Sequence, residues 1–84
     1  MVRFQIKCFG DEAVVFDIAS GDTHYLAPLT YALYKTSSQH PEMNAYEASN
    51  KLALMFNVAP DSDFKQLTDE AMHSLQHIGL LSRP

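Results

Sequence analysis

At 84 residues, the chain is expected to form a single domain, residues 1–84, whose core is modest because so short a chain buries only roughly 60–65% of its unfolded surface. Its net charge of −4 and six scattered Lys and Arg residues argue against nucleic-acid binding, which usually requires a basic patch. No stretch is long and apolar enough for a membrane span or a signal peptide. The single cysteine excludes an internal disulfide, so we expect a cytoplasmic protein.

Three short strands are predicted before residue 27. Residues 3–9 alternate, which places Arg3, Gln5 and Lys7 outward and predicts that Phe4, Ile6 and Cys8 face inward. Residues 13–18 alternate in the same way, and a turn over 19–22 leads to a third strand, Thr23–Leu26. A sheet this small needs helices on its apolar face.

Three helices are predicted after the sheet. The first begins at Pro28 and ends near Lys35, with Leu29, Ala32 and Leu33 buried, and a polar loop follows over 36–42. Asn44 and Glu47 resemble a capping box for the second helix, which ends near Phe56. Its expected buried positions are Ala45, Ala48, Leu52, Met55 and Phe56.

The third helix has the clearest pattern. Acidic cap candidates precede it at 61–63, and Gly79 ends it, after which Leu80 and Leu81 are expected to fold back onto the core. Its predicted buried stripe is Phe64, Leu67, Ala71, Leu75 and Ile78, with Met72 alongside. The resulting fold class is α+β, of winged-helix type, with a three-stranded antiparallel sheet followed by a three-helix bundle (β-β-β-α-α-α).

No catalytic constellation is found in the sequence, and neither a cofactor nor a metal is expected. His73 and His77 share a helix face, but without a third ligand a solvated polar face is the better interpretation. Cys8 is expected to be a small buried hydrophobic residue. A catalytic cluster of Cys8 and His24 with Asp17 or Asp22 is a minor alternative.

An exposed sheet edge is the remaining candidate for function. If the third strand lies at the edge of the sheet beside the third helix, a peptide can add there as a further strand. Leu26, Tyr25, Met72 and Leu75 are of the type that anchors such a peptide, although the same residues equally suit a closed core.

The motif Asp11-Glu12-Ala13-Val14-Val15-Phe16-Asp17, followed by Ser20-Gly21-Asp22-Thr23-His24, Leu26 and Pro28, resembles the PqqD-like family. The branch it resembles is the HPr-rel-A system PqqD family peptide chaperone. The resemblance extends over essentially the whole chain. The hairpin motif is specific, whereas the second and third helices match mainly in pattern. Two departures are Ala27, where the family commonly has Asn, and Asn44, where it usually has Ser or Thr.

The resemblance implies a non-catalytic precursor-peptide recognition element for ribosomally made peptides. Such a domain presents a leader peptide to a maturation enzyme, which in this branch is related to HPr kinase. The leader would add antiparallel to the third strand and lie against the third helix. Carried over, the peptide-binding positions are Asp22, Thr23, His24, Tyr25 and Leu26, with Met72, Leu75, Gln76 and Gly79 as helix contacts.

Two other functions stay open at the level of sequence. A winged-helix DNA-binding protein would have the same elements, but its recognition helix should carry exposed Arg and Lys, and the third helix has only Lys65. An assembly subunit of an enzyme complex would need the same apolar strip as the peptide chaperone. Some members of the family dimerise, so the resemblance also leaves a homodimer open.

Overall fold

The structure is a computed structural model that describes residues 3–81. Its strands are β1 (Phe4–Phe9), β2 (Glu12–Asp17) and β3 (Thr23–Leu26), and its helices are α1 (Pro28–Gln39), α2 (Ala45–Met55) and α3 (Ser62–Ile78). This order confirms the predicted α+β arrangement of three antiparallel strands followed by three helices. Within the described range, none of the helices has the length and hydrophobicity to span a bilayer.

The sheet is antiparallel with the order β1-β2-β3, so β1 and β3 form its two edges. A two-residue turn joins β1 to β2, and Gly10 adopts a φ of 63° there, which glycine tolerates at no steric cost. β2 buries Ala13, Val15 and Asp17 and directs Val14 and Phe16 to the opposite face. The helices therefore cover only one face of the sheet.

The core lies between β2, β3 and the three helices. It consists of the buried residues Ala13, Val15, Leu26, Ala32, Leu33, Ala48, Leu52, Ala71 and Leu75. α1 packs against both β2 and β3 and also against α2 and α3, so it is the central helix. The open face of the sheet leaves Phe16 and Tyr25 exposed.

β1 corrects one prediction from the sequence. Phe4, Ile6 and Cys8 lie opposite Asp17, Val15 and Ala13, so they do share the inner face. However, Cys8 is exposed and Ile6 is 37% exposed, because the helix layer is centred on β2 and β3. The alternation predicted the correct face, but the extent of the helical cover depends on tertiary packing. The expectation that Cys8 is buried is wrong.

The helix ends follow the predicted caps, but α1 is longer than expected. The Asn44 side chain accepts a hydrogen bond from the Glu47 N–H at 2.8 Å, and Asp61 accepts one from the Phe64 N–H at 2.9 Å. α1 continues to Gln39 because the Thr36 side chain is buried against the bundle rather than belonging to a polar loop. Gly79 ends α3 with a φ of 100°, as predicted.

The buried faces of α2 and α3 are rotated from the predicted ones. α2 leaves Ala45, Met55 and Phe56 exposed and buries Ala48, Ser49, Leu52 and Ala53. The small side chains of Ala48, Ser49 and Ala53 let α2 approach both α1 and α3. In α3, Thr68 is buried and Leu67 is exposed. The Thr68 hydroxyl donates to the Phe64 carbonyl at 3.0 Å, so its burial leaves no polar group unsatisfied.

Candidate functional site

The direction of the main-chain groups of β3 follows from the hydrogen bonds around it. The Asp17 N–H donates to the Asp22 carbonyl at 2.8 Å, and hydrogen-bonded and non-bonded pairs alternate along an antiparallel ladder. His24 and Leu26 therefore bond to β2, whereas Thr23 and Tyr25 do not. The Ile18 N–H donates to the Arg3 carbonyl at 2.7 Å. Hydrogen-bonded and non-bonded pairs therefore alternate between β2 and β1 as well.

Thr23 and Tyr25 consequently direct their N–H and C=O groups away from the sheet. β3 is the last strand of the sheet, and no other strand in residues 3–81 pairs with its outer side. We call these four main-chain groups the open edge of β3. An extended peptide running antiparallel to β3 can form two hydrogen-bonded pairs with it.

The side chains of β3 alternate between the two faces of the sheet. Thr23 and Tyr25 are exposed, whereas His24 is half-buried and Leu26 is only 1% exposed. The Tyr25 hydroxyl donates to the Glu12 carboxylate at 3.1 Å, and this hydrogen bond raises the pKa of Tyr25. The contact with Glu12 holds the Tyr25 ring over the uncovered face of the sheet, where it leaves the open edge free.

Asp17 fixes the loop that leads into β3. Its buried carboxylate accepts hydrogen bonds from the Ala19 N–H at 3.0 Å and the Ser20 N–H at 3.4 Å. Arg3 donates to both oxygens of Asp17, from Nε at 3.3 Å and from a terminal nitrogen at 3.1 Å. This bidentate pair ties the start of β1 to the turn before β3, so it positions the open edge.

The Arg3–Asp17 pair predicts an acid-dependent loss of stability. The hydrogen bond from Arg3 holds the pKa of Asp17 below the usual value of 3.8, despite the opposing effect of desolvation. A depressed carboxyl pKa contributes stability above 3.8 that is lost as pH falls through 3.8 towards the folded-state pKa. In urea unfolding, Asp17→Asn should therefore be less stable than wild type at pH 7, and the difference should shrink at pH 3. Asp11→Asn, in the exposed β1–β2 turn, is the control, and a difference that persists unchanged at pH 3 would contradict this role.

The predicted helix contacts fall in different places. Leu75 is 0% exposed and belongs to the core together with Leu26. Met72 and Gln76 line a cavity of about 670 Å³ that α3 forms with the α1–α2 loop, beside His40 and Met43. A Cβ atom at Gly79 would lie 3.3 Å from the Arg3 guanidinium, so the end of α3 adjoins the Arg3–Asp17 pair. Thr23 to Leu26 thus form one strand with Asp22 directly before it, while the four helix positions are not brought to one surface.

The opposite flank of α3 carries residues that were not predicted as contacts. Leu67, Ser74 and Ile78 recur at helical spacing on the flank away from Met72 and Gln76. α2 lies on the Met72 flank, where Lys65 Nζ is 3.9 Å from the centre of the Tyr46 ring. Leu67 is 52% exposed. Its place in the apolar pattern was the only signal in the sequence, and that pattern predicted burial.

The candidate catalytic and metal-binding residues do not assemble. Among residues 3–81, no three His, Cys, Asp or Glu side chains lie close enough to hold a metal ion. Cys8 and His24 lie on the inner face of the two edge strands, and β2 together with an offset of two residues separates their backbones by about 12 Å. Cys8 Sγ instead lies 2.7 Å from the Tyr31 hydroxyl, and this hydrogen bond raises the pKa of Tyr31.

Comparison with known proteins identifies a similar fold. No protein-family model matches the chain, and no curated protein matches it. A solved structure, TbiB1 in complex with the TbiA(beta) leader peptide, is similar with a TM-score of 0.75 at 12% sequence identity. The similarity covers 100% of this chain and 94% of that chain. At this level of identity, the comparison establishes that the two chains share an α+β fold over their lengths.

Proposed function

We propose that the chain is a non-catalytic peptide-binding module that holds the leader of a ribosomally made precursor peptide by strand addition and presents it to a modifying enzyme. The observation that carries this proposal is the open edge of β3, at which Thr23 and Tyr25 direct main-chain donors and acceptors outward. The shared fold with a chain solved with a leader peptide supports it. The PqqD-like hairpin motif supports the same class of ligand.

Main-chain hydrogen bonds alone do not account for stable peptide binding. Four such bonds, at about 1 kcal/mol net each, barely offset an association cost of about 4–15 kcal/mol. Apolar side chains of the peptide must therefore bury surface against the domain. Leu26 and Leu75 are buried in the core, so they support the site from beneath and offer a peptide no exposed side-chain surface. We assign the apolar contact to the flank of α3 that carries the exposed Leu67 and the half-buried Ile78.

Met72, Gln76 and Gly79 stay predicted helix contacts. The cavity that Met72 and Gln76 line is apolar over much of its wall, with Leu80 and Leu81 included. Its lining residues come from α3, the segment after it and the region of the α1–α2 loop, and none of them belongs to β3. We therefore place the first contacts of the peptide on the Leu67 flank and treat the cavity as an alternative.

The charges of α3 do not favour DNA as the ligand. Lys65 is engaged with the Tyr46 ring, and Asp69 and Glu70 are exposed beside it. A duplex would meet negative charge on this helix, which opposes binding to phosphates. For the partner enzyme, we propose a protein related to HPr kinase, on the strength of the sequence resemblance.

The test is a ¹⁵N NMR titration with a short peptide encoded beside this gene, with duplex DNA as the control. We expect shifts confined to residues 22–26 and to one flank of α3, and none with DNA. The proposed function is wrong if these signals stay unchanged at a peptide concentration of about 1 mM. A dissociation constant of that size corresponds to roughly 4 kcal/mol of binding free energy.

A pair of matched variants locates the helix contact. Leu67→Asp and Gln76→Asp add the same charge to opposite flanks of the same helix. We expect Leu67→Asp to weaken peptide binding about tenfold or more, because it places a charge where apolar contact is proposed, and Gln76→Asp to change affinity less than twofold. Isothermal titration calorimetry measures both. The reverse ranking would place the peptide in the Met72 and Gln76 cavity instead.

A further inference from the structure

We propose that the free edge of β1 pairs with the β1 edge of a second copy of this chain, which joins two sheets into one of six strands. This inference does not depend on the proposed function, because it concerns the opposite edge of the sheet. β1 is six residues long and has no proline. Within the described part of the chain, no strand covers its outer side. A long regular edge of this kind is a template for another strand.

The main-chain groups of β1 are arranged for such pairing. The Arg3 carbonyl accepts from Ile18, so Arg3, Gln5, Lys7 and Phe9 form the hydrogen-bonded pairs with β2. Phe4, Ile6 and Cys8 therefore direct their N–H and C=O groups outward. In an antiparallel pair of β1 strands centred on Ile6, Ile6 of one copy would lie opposite Ile6 of the other, and Phe4 of each copy opposite Cys8 of the other. This register would pair the outward N–H and C=O groups of all three residues on each strand, with six hydrogen bonds in total.

The charge of Lys7 favours the same register. When Ile6 is the centre, Lys7 lies opposite Gln5 of the second copy, whereas the Arg3 guanidinium stays with Asp17 on the inner face of the sheet. A shift of two positions in either direction pairs only two of the three outward-directed residues within β1, and in one direction it also places Lys7 opposite its own copy. Directly opposed like charges destabilise a strand pair. The register with the most hydrogen bonds thus also keeps the two Lys7 side chains from facing each other.

The inner face of β1 also has apolar surface to contribute. Ile6 is 37% exposed and Cys8 is exposed, since the helices pack over β2 and β3. Pairing two β1 strands would bring these side chains and Phe4 of both copies together on one face. On the other face, Phe9 is exposed. The two β3 edges would remain at the outer ends of the joined sheet, where each is free to bind a peptide.

Variants at Gln5 test this register. Gln5 lies on the open face of the sheet and is exposed, so changes there leave the core intact. Gln5→Lys places a second positive charge opposite Lys7 at two symmetric positions and should raise the dimer dissociation constant about tenfold. Gln5→Glu replaces each pair with an opposite-charge pair and should lower it several-fold. Sedimentation equilibrium of the full chain from about 10 to 500 µM measures both constants.

A proline variant tests the hydrogen bonds separately. The Ile6 N–H points away from β2, so Ile6→Pro removes a donor from the free edge without removing one from the β1–β2 ladder. We expect a monomer of 9.4 kDa that keeps the wild-type secondary structure by circular dichroism. A wild-type protein that stays monomeric at 500 µM, or Gln5 variants with equal dissociation constants, would overturn the proposal. Peptide titrations of the Ile6→Pro monomer separate this result from any failure of the peptide site.

Discussion

Replacing Leu75 with aspartate is expected to abolish cooperative folding of the chain at 25 °C. Leu75 is completely buried in the core, and its carbonyl accepts hydrogen bonds from the N–H groups of Gly79, Leu80 and Leu81. A carboxylate in this position has no cationic partner in the core, and an uncompensated buried ion costs several kcal/mol. Because domains of this size are stable by only about 5–15 kcal/mol, that cost is comparable to the whole stability.

Circular dichroism and thermal melting check this expectation, and α3 offers a matched control. Leu67→Asp makes the same substitution on the same helix at an exposed position, so it should keep a cooperative transition. Leu75→Met, which nearly conserves volume, should cost less than about 1.5 kcal/mol. A cooperative melt for Leu75→Asp within a few degrees of wild type would show that Leu75 is not in the core.

The burial of Leu75 and Leu26 also changes how peptide binding must be tested. Leu26→Lys should disrupt the fold for the same reason as Leu75→Asp, because Leu26 lies in the same buried cluster. Lost binding in either variant would report unfolding rather than a missing contact. Informative substitutions are those at the open edge of β3 and on the exposed flanks of α3, where the change alters a surface and leaves the core unchanged.

Local signals predicted the elements of this fold well. Pro28, Asn44, Asp61 and Gly79 mark the helix ends, because capping and backbone geometry depend on neighbouring residues. These features need no knowledge of the rest of the chain, which is why the order of strands and helices is readable from the sequence.

Features that depend on distant residues were not predictable. Arg3 and Asp17 are separated by 14 positions, so their ion pair exists only because of the β1–β2 register. Periodicity finds an apolar stripe but does not say how far the helices cover it. Ile6 and Cys8 face inward but stay exposed at the margin of the helix layer, and Leu67 belongs to the stripe yet is exposed. The candidate helix contacts failed to converge for the same reason, since spacing alone does not say which flank of α3 meets α2.

Thr23→Pro is expected to weaken peptide binding by tenfold or more while the domain stays folded. The Thr23 N–H points away from β2, so proline there removes no hydrogen bond within the sheet, and the Thr23 side chain is exposed. A bound peptide would lose one hydrogen bond of about 0.5–1.5 kcal/mol, and the pyrrolidine ring would crowd the added strand.

Thr23→Val is the control for this variant, because it keeps the N–H and the β-branched shape. We expect its affinity for the peptide to stay within about twofold of wild type, which is a free-energy difference of about 0.4 kcal/mol. Calorimetry gives both affinities, and an NMR spectrum with wild-type dispersion establishes that each variant is folded. The comparison isolates the main chain as the source of affinity. If both variants bind like wild type, the peptide does not pair with β3. If both lose binding equally, the Thr23 side chain rather than its N–H makes the contact.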